Sequence, residues 1–232
     1  MHRRGFLAGL AGAAAGRAAA RGRDEVDVLL VLATDASGSL SDERVRLQRQ
    51  GHARAIASSA FIRAVSAGPL GQIAVTVIDW SNEERQEQIV PWMLLRDGAS
   101  AREVAARLMS APNPIPGYTS ISGAIDRAAA LLAQAPYVAP RRVIDISANG
   151  PNNDGRPVRA ARDSAVAEGI TVNGLPILDS VAALDVYFAE EVIGGPGAFV
   201  LPAQDLESFE AAIRRKLLAE ISSAPLQSAT PT

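Results

Sequence analysis

From Val26 to Ile221 the chain alternates short apolar runs with segments whose apolar residues recur at helical spacing, and this alternation leaves few folds open. Val26–Ala33, Gln72–Trp80, Gln86–Leu94, Arg142–Ser147, Ile170–Ile177 and Ala198–Pro202 read as strands. Between them Asp42–Val65, Ser100–Met109, Ser120–Gln134, Arg156–Glu168, Ala182–Val192 and Leu206–Ile221 read as helices. Ser41 is the expected N-cap of the first helix, and Gly169 the residue that closes the helix before it. Val26–Ala33 is the pattern of a strand covered on both faces. Strands that alternate with helices pair in parallel through crossovers. The expected fold is therefore α/β: a doubly wound, mostly parallel six-stranded sheet of Rossmann type, with helices on both faces. One antiparallel edge strand is expected at Gln86–Leu94, where Pro91 is best tolerated. With no internal repeat or low-complexity linker, 232 residues of 48% hydrophobic composition make one domain, over residues 21–221, and residues 222–232 read as a small, polar, frayed tail.

Residues 1–20 read differently. His2-Arg3-Arg4-Gly5-Phe6-Leu7 leads a weakly apolar Ala/Gly/Leu stretch that ends in Ala18-Ala19-Ala20. A charged start, a short apolar centre and a small-residue end make a secretory signal, and the arginine pair before Phe-Leu resembles a twin-arginine leader. Gly and Arg17 interrupt the stretch, which falls short of the roughly 20 apolar residues that span a bilayer. A periplasmic or secreted bacterial protein is expected, with a mature chain that is not inserted in the membrane.

Composition narrows the function. A net charge of −2 and 4% aromatic residues offer neither the basic field nor the stacking surfaces of a nucleic-acid binder. The absence of cysteine removes disulfides, thiolate zinc sites and cysteine nucleophiles, and two histidines are too few for a zinc site.

The residues that carry chemistry lie at strand ends, where an open parallel sheet gathers its ligands. Asp35-Ala36-Ser37-Gly38-Ser39 follows the first strand and presents one carboxylate and two hydroxyls on a glycine-containing loop. Gly117-Tyr118-Thr119-Ser120-Ile121-Ser122 opens a helix, and Asp145-Ile146-Ser147-Ala148-Asn149-Gly150 ends the Arg142 strand. Oxygen-only ligands suit a hard divalent cation: Mg²⁺, or alternatively Mn²⁺ or Ca²⁺. Hydroxyls are weak, neutral ligands, so such an ion stays electrophilic and seeks another oxygen from a partner's Asp or Glu.

These three segments, in this order, resemble a von Willebrand factor A-type domain with a metal-ion-dependent adhesion site. More narrowly, Gly71–Thr76, Arg141–Ile146, Pro151-Asn152-Asn153, Gly169–Leu178 and Glu191–Val200 resemble a bacterial A-domain-like family of unknown function, over about residues 25–221. The resemblance implies a non-enzymatic, protein-binding domain. It also implies Ser37, Ser39 and Thr119 as direct ligands, with Asp35 beside the metal, directly or through water. Asn149 stands where the family has its second acidic residue, so it would accept from a metal-bound water without adding charge. Ala148 stands where the family has glycine.

Two other readings follow from the same residues. A site one carboxylate short leaves open a metal-free scaffold for constitutive association, and Asp35–Ser39 alone is also ordinary turn and capping chemistry. An Asp35 nucleophile would need a second nearby acid and a lysine at a later strand end, and Lys216, the single lysine, lies in the terminal helix. No nucleophile elbow, P-loop or dinucleotide fingerprint is present. Asp145 shares a face with Ser147 and Asn149, which leaves a site role open beside the favoured reading of a hydrogen-bonded structural residue; Asn152-Asn153-Asp154 reads as a turn and Asp79 as structural.

Overall fold

The computed structural model describes residues 23–114 and 116–222; the leader expected at 1–20 and the tail beyond Ser222 lie outside the described residues. In chain order the elements are β1 (Asp24–Glu25), β2 (Val28–Asp35), α1 (Asp42–Ile56), α2 (Ser59–Ser66), β3 (Ile73–Trp80), β4 (Gln86–Leu95), α3 (Gly98–Ser110) and α4 (Ile121–Ala133). There follow β5 (Tyr137–Val138), β6 (Arg141–Ala148), α5 (Val158–Ala167), β7 (Thr171–Pro176), α6 (Leu184–Tyr187), a π-helical turn at Phe188–Val192, and α7 (Leu206–Ile221). The expected alternation is present, and α7 starts and stops where its periodicity does.

The main sheet has five strands in the order β4-β3-β2-β6-β7, not six. Ala198–Pro202, expected as a sixth strand, touches β7 only through an isolated parallel bridge between Gly174 and Val200, with a second between Ile177 and Ala203. Three glycines and a proline precede this segment in Gly194-Gly195-Pro196-Gly197, and they leave it too little regular backbone to extend the ladder. All pairs are parallel except β3–β4, which is antiparallel, so β4 is the edge strand that Pro91 required. The β3–β4 register shifts between Val75 and Val77, opposite Pro91, which therefore breaks no ladder bond.

The expected helix Asp42–Val65 is two helices. Ser58 is extended, with φ −69° and ψ 142°, and its hydroxyl accepts from Phe61 N, so it ends α1 and caps α2. This bend lets Ile56 and Phe61, on different helices, reach one core. Alternate residues of β2 feed two apolar layers. Leu29, Val31 and Ala33 pack with α4 and α5 residues such as Ile125 and Ala161; Leu30 and Leu32 pack with Phe61, Val104 and Ile213 on the other face. Gly169 closes α5 with φ +75°, the left-handed residue anticipated from sequence.

β2 is the central strand, and the chain continues to β3 on one side of it and returns as β6 on the other. Its carboxyl end is thus the point where strand order reverses, and loops from β2 and β6 meet there.

Candidate metal centre

Asp35 is the last residue of β2, and the loop after it is shaped by its own side chain. Ser37 N donates to Asp35 Oδ1 at 2.7 Å, an Asx-type turn that lifts Ser37 and Ser39 above the sheet end. Ala36 N bonds Trp80 O at 2.8 Å, which holds the turn against β3. Helix α1 is capped by Ser41, whose Oγ accepts from Arg44 N, with Asp42 and Glu43 in its first turn. Capping therefore consumes Ser41 and leaves Ser39 free, which turn chemistry alone does not explain.

Ser39 uses that freedom inward. Its Oγ donates to Asn149 Oδ1 at 3.0 Å and lies 3.1 Å from Ser37 Oγ. Asn149 follows β6, and its N–H reaches Asp35 Oδ2 at 3.4 Å. Four of the five sequence candidates, Asp35, Ser37, Ser39 and Asn149, thus form one contiguous group of oxygens. All are buried except Ser39, which is exposed and forms the outer member.

Thr119 arrives on the second segment, which other groups hold in place. Gly38 N bonds Gly117 O at 2.7 Å, so the first and second loops are joined directly. A Cβ at Gly117 would lie 3.0 Å from Asn82 Oδ1 and 3.1 Å from Ser81 Oγ, a packing that favours glycine. Thr119 itself is buried, and its backbone is gripped by Asn153: Thr119 N donates to Asn153 Oδ1 and Asn153 N to Thr119 O, both at 2.8 Å. Asn152 does the same one turn on, with Oδ1 accepting from Ser122 N. Sequence reading gave Asn152–Asp154 only a turn. Their amides also mimic peptide groups and clamp the Thr119 loop, and the side-by-side asparagines after the third loop were the signal. Ser120, also buried, caps α4 through Gly123 N.

Ala148 does not constrain the loop. It is the last residue of β6, fully buried, and its carbonyl accepts from Ile177 N at 2.9 Å, so no glycine is required there.

Electrostatics favour a cation at this point. Asp35 is fully buried, and desolvation pushes its carboxyl up to about 6 against the opposing hydrogen bonds from Ser37 and Asn149. The neighbouring Asp79 pushes it further in the same direction. Arg49, the partner of the neighbouring Asp79, is already committed: its guanidinium pairs with Asp79 and donates to Ala111 O and Pro112 O, each at 2.8 Å. Asp35 has no ion-pair partner among the described residues. A buried carboxylate without a counter-charge, beside a row of neutral oxygens, fits a divalent ion. The spacing fits as well. Adjacent ligands of an octahedral ion with bonds of about 2.1 Å stand about 3.0 Å apart, and the two candidate direct ligands Ser37 Oγ and Ser39 Oγ are 3.1 Å apart. Among the described residues no group of three or more His, Cys, Asp or Glu could hold a metal, so a site here would rest on hydroxyls and an amide beside the single Asp35 carboxylate.

Asp145 was read as structural, and it pairs with the one lysine. Lys216 Nζ lies 2.7 Å from Asp145 Oδ1 and 2.5 Å from Glu220 Oε1, all three side chains being essentially inaccessible. Lys216 is therefore engaged with Asp145 and Glu220 rather than with Asp35.

The family model described as "Protein of unknown function (DUF1194)" matches residues 25–225. The chain belongs to this family. A search of the curated proteins finds no match. Among solved structures, proximal thread matrix protein 1 from the mussel byssus, with a zinc-occupied MIDAS motif, superposes with a TM-score of 0.65 at 15% identity, covering 86% of this chain and 48% of that one. The pilus adhesin SpaC from Lactobacillus rhamnosus GG, in its open conformation, gives 0.58 at 14% identity over 86% of this chain and 31% of the adhesin. A von Willebrand factor type A protein from Catenulispora acidiphila gives 0.56 at 15% identity over 84% and 43%. The DUF1194 chain thus has the von Willebrand factor A-like fold, and it spans less than half the length of each of these three proteins.

Proposed function

We propose that this DUF1194 protein is an exported, non-enzymatic protein-binding domain whose strand-end oxygens take a Mg²⁺-class ion. Its partner would complete the shell with an Asp or Glu side chain. The observation that carries this reading is the row Ser37 Oγ, Ser39 Oγ and Asn149 Oδ1 at 3.0–3.1 Å beside the buried, unpaired Asp35 carboxylate. Ser37, Ser39 and Thr119 would hold the ion, with Asp35 next to it and Asn149 holding a water. When bound, the ion supplies an electrophilic oxygen-seeking centre. The chain's own part is to keep Ser39 exposed at the rim and to hold Thr119 through Asn153. The mussel protein of the same fold, with its zinc-occupied MIDAS, and the pilus adhesin support the reading by analogy.

Export rests on the leader-like residues 1–20 and, by analogy, on proteins of the same fold such as the byssus matrix protein and the pilus adhesin. No helix among the described residues is long and apolar enough to cross a membrane. Hydrolysis through Asp35 lacks its lysine, which is bound to Asp145 and Glu220.

A metal-free scaffold of the same fold is the second reading. It is favoured by Asn149, which donates to Asp35 and accepts from Ser39, so that the site is partly satisfied without an ion. Mn²⁺ separates the two. Paramagnetic broadening centred on the amides of Gly38, Thr119 and Asn149, and abolished in Ser39→Ala, is expected for the metal site. Diffuse broadening over surface carboxylates, unchanged in Ser39→Ala, would leave the scaffold.

A further inference from the structure

At the opposite end of the sheet a cavity of about 390 Å³ opens between the start of β6, the start of β7 and the end of α7. Its volume is within the usual range for small-molecule sites, roughly 300–1,000 Å³. Val143, Pro196 and Phe199 line it with apolar surface, while Arg141, Arg142 and Glu220 supply its charge. From Arg142 to Asn149 is seven residues of extended chain, or about 23 Å, so the cavity is separate from the metal centre and independent of any metal there.

The two arginines lack the partners that arginine normally takes. Arg141 donates to Ile221 O at 3.4 Å and Glu220 O at 2.6 Å, and Arg142 donates to Glu168 O. Neither is ion-paired with a carboxylate among the described residues. A guanidinium carries five N–H donors in a planar fork matched to an oxyanion, and these backbone contacts use only part of that capacity. Both side chains are half-buried, so their orientation is fixed by contacts that leave donors over. The one acid of the lining is unavailable as an anion for a cationic ligand. Glu220 Oε1 is taken by Lys216 Nζ at 2.5 Å and by Asn173 Nδ2 at 3.1 Å. Burial, with Asp145 alongside, also pushes its carboxyl up to about 7, against the pull of Lys216 and Asn173, so near neutrality it repels an anion little.

We propose that this cavity is a ligand site for a small organic anion, its carboxylate held by Arg141 and Arg142 and its apolar body against Val143, Pro196 and Phe199. The pairing of a guanidinium fork with an apolar wall selects against both bare inorganic anions and amines. Amide chemical shifts of the full chain titrated with hexanoate test it, with inorganic phosphate and hexylamine as comparison probes. Saturable shifts are expected at Gly169, Gly197 and Ala219, with hexanoate ahead of both other probes. Arg142→Gln, which removes only a contact to a loop carbonyl, is expected to weaken hexanoate by about tenfold, the scale of one lost charge-assisted hydrogen bond. Arg142→Lys, which keeps the charge but loses the fork, should fall between. Unshifted amides at those positions, binding unchanged in Arg142→Gln, hexylamine equal to hexanoate, or phosphate at least as tight as hexanoate would each overturn the assignment.

Discussion

In the proposed site, Asn149 is the residue that sets how strongly a cation would be held. It is the position where a second carboxylate would stand; its side-chain oxygen accepts from Ser39, and its backbone N–H reaches Asp35. Asn149→Asp adds a charge to the shell, and affinity for a hard cation tracks ligand charge. Mg²⁺ binding is expected to tighten by about tenfold, equivalent to about 1.4 kcal/mol, as read by calorimetry. The same substitution sets two buried carboxylates side by side without metal. The metal-free variant should therefore melt lower than the parent, by about 2–4 °C for each 1 kcal/mol lost, and regain that loss on addition of Mg²⁺. A variant with unchanged affinity and unchanged melting would remove Asn149 from the site.

Arg49 and Asp79 are a second residue-scale test. Their side chains are only 5% and 2% exposed, and Arg49 also donates to the Ala111 and Pro112 carbonyls. Removing one member of a buried pair strands the other charge, at a cost of about 3–5 kcal/mol. Arg49→Met should therefore lower the urea midpoint sharply and loosen the Ala111–Pro112 turn, whereas a loss under about 1 kcal/mol would mean that the pair behaves as a surface bridge.

At the scale of elements, α7 carries a buried ionic cluster to the sheet. Lys216 faces Asp145 from β6, Glu220 from its own helix and the Phe199 ring at 5.0 Å; Asn173 of β7 donates to Glu220, and His52 of α1 feels both charges. Glu220 has its folded value raised from 4.5 to about 7, so the folded state holds a proton that the unfolded chain has released. Its contribution is fully present below about 4.5 and is lost as pH rises toward about 7. His52 runs the other way. Burial lowers it to about 4, so its contribution is present above 6.5 and lost as pH falls toward 4. Glu220→Gln keeps the shape and removes the first titration. Its stability relative to the parent should rise between pH 5 and pH 8 in urea denaturation; a difference that stays flat across that range would mean Glu220 is ionised throughout.

The α1–α2 bend belongs to this scale too. Ser58→Ala removes the hydroxyl that accepts from Phe61 N, and loss of such a cap costs about 1 kcal/mol. A melting temperature lower by about 2–4 °C is expected for a domain of this size.

Much of this architecture was legible because β2, β3 and β6 are buried on both faces and declare themselves as apolar runs. Pro91 announced the edge strand, and Asp35-Ala36-Ser37-Gly38-Ser39 pointed to the candidate site. The Ser58 break was hidden because helical periodicity runs through it while its cause is local: one serine in an extended conformation. The sixth strand failed for the opposite reason, since a short β-favouring run after Gly194–Gly197 has composition but no partner geometry. Asn153, which holds Thr119, was illegible as a site residue because it acts through its side-chain amide on a distant backbone. Lys216 is the clearest such case, since a lysine on an amphipathic helix reads as solvated until its carboxylate partners are placed.

Across the whole molecule, the central position of β2 brings three loops together. The first follows β2, the third follows β6, and Gly38 N to Gly117 O ties the second to the first. The sheet thus has an oxygen-lined end and, about 23 Å away by strand length, an arginine-lined end. The central claim is that the oxygen-lined end binds a divalent ion, and titration of chelator-treated protein with Mg²⁺ by calorimetry measures it most directly. A saturable one-to-one isotherm, accompanied by a rise in melting temperature and lost in Ser39→Ala, is the predicted result. No heat and no thermal shift with either Mg²⁺ or Mn²⁺ would contradict it.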